Sequence, residues 1–156
     1  MEVQTSPQIQ IGQKIIVYLD EIRVVLPGTQ ALLGFQLVAA FSFGFSNIPL
    51  LFKYLHILSL ILVSISVILL LTPAAFHRIA EHGKDSHRLH QLITKMIIIA
   101  MATLGVGLAV DLFVVVSVIL QSVIMGASVA IFIALLFIIT WYVYPFTHRE
   151  HEPAQK

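Results

Sequence analysis

The sequence predicts an all-α fold, a four-helix transmembrane bundle with an N-terminal amphipathic helix at the membrane interface. Three observations carry that prediction. Of 156 residues, 58% are hydrophobic and only 11% charged, where soluble domains carry about 25% charged residues. Mean hydropathy is +0.96. Four apolar runs, at about residues 24–46, 55–76, 96–120 and 123–144, each reach the ~20 residues needed to cross a hydrocarbon core ~30 Å thick, and Asp111 is the one formal charge inside any of them. Residues 1–156 therefore read as a single integral membrane domain.

The segment 13–26 differs from the spans. Ile15, Ile16, Leu19, Ile22 and Leu26 recur at helical spacing, with Lys14, Asp20 and Glu21 on the polar side, the pattern of a helix lying in the inner interface. Pro27 and Gly28 mark either a bend or the first turn of the spanning helix, because Pro lacks an N–H and fits a helix N-terminus. The polar stretch before the first run, with Glu2, Asp20 and Glu21, does not match a cleavable signal peptide.

Each span carries small or polar residues on one face, which is how membrane helices recognise one another when lipid offers no hydrophobic driving force. The first has Thr29, Gln36, Ala40 and Gly44; the second Ser59, Ser66 and Pro73; the third Thr103, Gly107 and Asp111, with Gly105 and Ala109 as a second pair. The fourth has Ser122, Gly126, Ala130 and Ala134 at four-residue spacing. The third and fourth runs are joined by almost no loop and must be antiparallel neighbours.

Charge sets the orientation. With four spans, Lys14, Arg23, Arg78, Lys84, Arg88, Lys95, Arg149 and Lys156 share one side and Lys53 stands alone on the other. The positive-inside rule then puts both termini and the 77–92 loop in the cytoplasm. Trp141, Tyr142 and Tyr144 suit the inner end of the last helix.

The polar residues that could carry function are few. Asp111 on the third span, and Gln30 and Gln36 on the first, lie in otherwise apolar runs, where an ionisable group is a functional candidate by default. Sixteen residues at ~1.5 Å each place Asp111 roughly 24 Å from Lys95, towards the outer edge rather than the midplane. That depth equally suits a structural role, pairing with Lys53 or with a polar side chain near the outer surface. At the inner face, Asp20, Glu21 and Arg23 meet His77 and Arg78 by topology, so an acid–arginine pairing or contact with lipid phosphate is expected there. The 77–90 segment holds His77, His82, His87 and His90, yet Arg78, Lys84 and Arg88 oppose a divalent cation, so it reads as a solvated loop; His148 and His151 read the same way. The sequence has no cysteine, no nucleophile–base pair and no phosphate loop, so no enzyme, cofactor or metal is expected, and no basic stripe suggests nucleic acid.

The run Leu19-Asp20-Glu21-Ile22-Arg23-Val24-Val25-Leu26-Pro27-Gly28-Thr29-Gln30-Ala31-Leu32-Leu33-Gly34-Phe35-Gln36, with Pro73-Ala74-Ala75-Phe76-His77-Arg78 and Trp141-Tyr142-Val143-Tyr144-Pro145, resembles a family of small bacterial four-span membrane proteins carrying a domain of unknown function. The resemblance covers roughly residues 19–149 and implies a bacterial inner-membrane protein whose matching polar positions are Asp20, Glu21, Arg23, Gln30, His77 and Arg78. It implies no established activity, although some relatives are labelled sodium:proton antiporters. Two functions stay open: a non-enzymatic protein acting by helix packing, as a homo-oligomer or with a membrane-protein partner, and an ion- or proton-linked transporter working as an oligomer.

Overall fold

The computed structural model describes residues 7–79 and 87–148. Four helices in it are long and apolar enough to cross a membrane. In chain order these are α1 (Pro7–Ala40), α2 (Leu50–Ile79), α3 (His87–Ile119) and α4 (Val123–Ile138), the last continued by a π turn (Ile139–Val143) and a closing turn, α5 (Tyr144–Thr147). A 3-10 turn, Phe43–Asn47, links α1 to α2.

The amphipathic segment and the first span form one helix that runs straight through Pro27. Four of the five residues of the predicted apolar stripe nonetheless form the docking face, while Ile16 is 59% exposed. Ile15 and Ile22 are buried with Leu70 of α2 and with Leu89, Ile93 and Ala100 of α3, and Leu19 and Leu26 pack against that cluster. Tyr18 stacks on His90 of α3 at 5.4 Å between ring centroids. Apolar packing thus holds the N-terminal segment to the C-terminal part of α2 and the N-terminal part of α3.

Helix α1 stops at Ala40, short of the predicted end of its apolar run at residue 46. The cause is local competition for carbonyls. The Ser42 hydroxyl donates to Ala39 O at 2.7 Å and the Ser46 hydroxyl to Phe43 O at 2.8 Å, and Pro49 then bars any helical continuation.

Helices α2 and α3 share the largest interface, and the predicted small-residue faces build it. Ser59, Ser66 and Pro73 are all buried. Gly107 lies so close to α2 that an added Cβ would stand 3.1 Å from Val63 and 3.3 Å from Leu62. Ser66 closes the same seam lower down, its hydroxyl donating to Ala100 O at 2.8 Å.

Helix α4 packs mainly along α3 and contributes little buried surface of its own. Two glycines bring the pair together. A Cβ on Gly126 would collide with the Ser117 side chain and stand 2.8 Å from Phe113 O, and one on Gly105 would enter the Phe137 ring. The hairpin between them turns at Gln121, whose φ of 49° is the one positive value at a non-glycine residue among the described residues. Ser122 caps α4 by accepting from Met125 N. The core is therefore three helices, α1 to α3, with α4 laid along the flank of α3.

Candidate functional site

The polar side chains of the spans converge at one place, towards the end of the bundle that carries the 41–49 connection. His56 lies six residues into α2, roughly 9 Å from its start at ~1.5 Å per residue, and is 3% exposed. Its Nδ1 is 3.0 Å from Asp111 Oδ1 on α3. Its Nε2 is 3.0 Å from the backbone oxygen of Gln36 on α1. One turn further in, the Gln36 amide nitrogen donates to Ser59 Oγ at 2.8 Å, and the Ser59 hydroxyl donates to Gly107 O at 2.7 Å. The Phe45 ring covers His56 edge-on at 5.2 Å. Three helices are thereby stitched together by one hydrogen-bonded set.

The hydrogen-bond chemistry counts the protons. A backbone carbonyl can only accept, so Nε2 of His56 carries a hydrogen. One further proton lies between Nδ1 and Asp111 Oδ1. Placed on nitrogen it gives an imidazolium facing a carboxylate; placed on oxygen it gives a neutral ring facing a carboxylic acid. Both arrangements are neutral as a pair, which is why an aspartate can stand in this span without the roughly 2.5–3.5 kcal/mol that a lone charge costs at a helix centre.

Asp111 is thus partnered by a polar side chain, as one of the sequence expectations had it, at the end of the bundle that carries the 41–49 connection. Lys53, the other suggested partner, donates instead to Ser46 O at 2.7 Å and pins the 3-10 turn. Gln36 is 2% exposed and belongs to the network. Gln30 is exposed on α1 and takes no part. Among the described residues, no group of three metal-ligating side chains comes together.

At the opposite end, the expected pairing of Asp20 or Glu21 with Arg78 is replaced by a local one. Arg23 Nη1 lies 3.0 Å from Asp20 Oδ1 one turn earlier in α1, with the two side chains 81% and 59% exposed. Glu21 and Arg78 are exposed. The acids occupy the exposed side of α1 rather than the stripe that docks on α2 and α3. The His77 side chain and the loop histidine His82 lie outside the described residues, as does the His87 side chain.

His56 is the residue that sequence reasoning passed over, because a neutral histidine leaves a run's formal charge unchanged. A signal was present. Extending the Ser59, Ser66 and Pro73 stripe back through the intervening Val63 and Leu70 reaches His56 at the next helical step, and all six side chains are buried.

A second feature lies on the flank. Between the two glycine contacts, α3 and α4 leave an apolar groove of about 510 Å³. Its walls include Ala102, Ala109, Ala127, Ala130 and Ala134, with Tyr142 at one end. The Tyr142 hydroxyl is discharged onto Ile98 O at 3.0 Å.

Fold and polar network together define a small, all-helical, multi-pass membrane protein with no soluble domain among the described residues. Its chain matches a family model over residues 6–145 and belongs to the DUF6328 family, a family of unknown function. No curated protein and no solved structure matches it.

Proposed function

We propose that this protein is non-enzymatic and acts by helix association, as a homo-oligomer in a bacterial inner membrane with both termini cytoplasmic. The observation that carries this reading is the alanine-walled groove between α3 and α4. Small residues on facing helices serve close backbone approach, yet here they leave a channel unfilled within the chain. Beside the alanines stand large exposed side chains of the same helix, Ile131, Phe132 and Leu135. A second copy related by a two-fold axis can set these into the groove while offering its own groove in return, as an isologous contact requires. The exposed face of α4 carries no charge that would oppose such burial.

The polar groups of the spans support the same reading, because they are spent on joining helices. Gln36 donates to Ser59, and Ser59 and Ser66 donate to backbone carbonyls of Gly107 and Ala100 on α3, and below them the core of Leu70, Leu89 and Ile93 is apolar. The test is subunit counting by single-molecule photobleaching in lipid bilayers at rising dilution. Wild type should give dimers or larger, and Ala134→Phe, which fills the groove, should shift the population to monomers. Monomers of wild type at every density would reject the reading.

Proton-linked transport is the second reading, favoured by the single proton shared between His56 and Asp111. Proton flux into dye-loaded vesicles, driven by a cation gradient and abolished by Asp111→Asn, would select it.

A further inference from the structure

The His56–Asp111 network contains one polar atom that nothing satisfies. Gln36 Oε1 is buried and has no hydrogen-bond partner, although the nitrogen of the same amide is bonded to Ser59. A buried acceptor left unmade costs about 1–3 kcal/mol, and such atoms in native proteins are met by ordered water. Rotating the amide would not remove the problem, because Ser59 spends its only hydrogen on Gly107 O. The side chain of Asp111 is 14% exposed, so the pair is not sealed on every side.

We infer that Gln36, His56 and Asp111 form a binding site for one small hydrogen-bond donor, a water molecule, admitted from the side of the 41–49 connection. The water donates to Gln36 Oε1 and brings the shared proton of the pair into exchange with that side alone. One imidazole proton leaves to water as one water proton replaces it, so the charge of the pair is conserved. The route inwards is closed by Ser59 on Gly107, by Val63, and by Ser66 on Ala100. The groups facing the site are the uncharged Gln36 from α1, the Phe45 ring from the 3-10 turn and Asp111 from α3; Lys53, the cation at this end of α2, is held by Ser46 O. The inference rests on neither functional reading above. It adds a proton entrance without an exit, and Phe45 as its cover.

Water-edited solid-state NMR of histidine-labelled protein in lipid bilayers tests this, with the His56 signals assigned by their loss in His56→Gln. Magnetisation should pass from water to the His56 ring nitrogens about tenfold faster than to the backbone amides of the fully buried Val63 and Ser66. Gln36→Leu keeps the backbone oxygen that His56 Nε2 uses but removes the water's acceptor, and should slow the transfer severalfold. Phe45→Ala should speed it, whereas Ile93→Val, which loosens the packing at the opposite end, should leave it unchanged. Transfer to His56 as slow as to Val63 in wild type would overturn the inference, as would equal acceleration by the two loosening variants.

Discussion

Replacing Asp111 by asparagine and, separately, by leucine tests whether the pair stabilises the fold through a hydrogen bond across one shared proton. In the wild type, His56 Nδ1 and Asp111 Oδ1 are 3.0 Å apart with one proton between them. Asparagine preserves the shape and supplies an N–H to a neutral ring, while Nε2–H stays on Gln36 O. Every hydrogen bond survives, so the expected loss is about 1 kcal/mol or less, near the average for interhelical hydrogen bonds in membranes. Leucine leaves Nδ1 buried without a partner. That omission costs about 1–3 kcal/mol. The aspartate's own insertion cost largely cancels, since both states are compared in an apolar phase. Reversible unfolding in mixed micelles, read by circular dichroism, measures the two values. A double-mutant cycle with His56→Ala should give a coupling of about 1–2 kcal/mol. Equal destabilisation by asparagine and leucine would refute the shared-proton account.

The remaining outcomes follow from local geometry. Gln121→Gly should stabilise the α3–α4 hairpin by about 0.5–1 kcal/mol in the same unfolding assay, because φ of 49° is strained for a residue with a Cβ. Gly126→Ala should destabilise by about 1–3 kcal/mol, since the Phe113 backbone oxygen 2.8 Å from the new Cβ cannot step aside; Gly28→Ala, with nothing within 4 Å, should gain up to about 1 kcal/mol from helix propensity. Arg23→Ala should change stability by about 0–1 kcal/mol, because its pair with Asp20 is exposed, and a charge swap between Arg78 and Asp20 should show no coupling.

Much of the fold was legible because membrane helices announce themselves twice, by apolar length and by the small residues on their packing faces. Gly107, Ser59 and Ser66 lie on the α2–α3 seam where their spacing put them, and Ile15, Leu19, Ile22 and Leu26 face inward. Three things were not legible. The end of α1 was set by Ser42 and Ser46 capturing nearby carbonyls, which an apolar count does not register. The ionic docking of the N-terminal segment was replaced by apolar docking, because topology brings charges to the same membrane face without saying which side of a helix they occupy. His56 was hidden by its neutrality, and only its place on the serine stripe betrayed it.

Cysteine cross-linking in native membranes addresses the proposed assembly most directly, and the chain suits it because it has no cysteine of its own. Ala130→Cys and Ala134→Cys place single thiols on the groove wall, and Leu33→Cys, on α1, serves as the control. Mild oxidation should convert the first two into covalent dimers and leave the control monomeric. Monomers from both groove positions, or dimers from the α1 control alone, would contradict association through the α3–α4 groove.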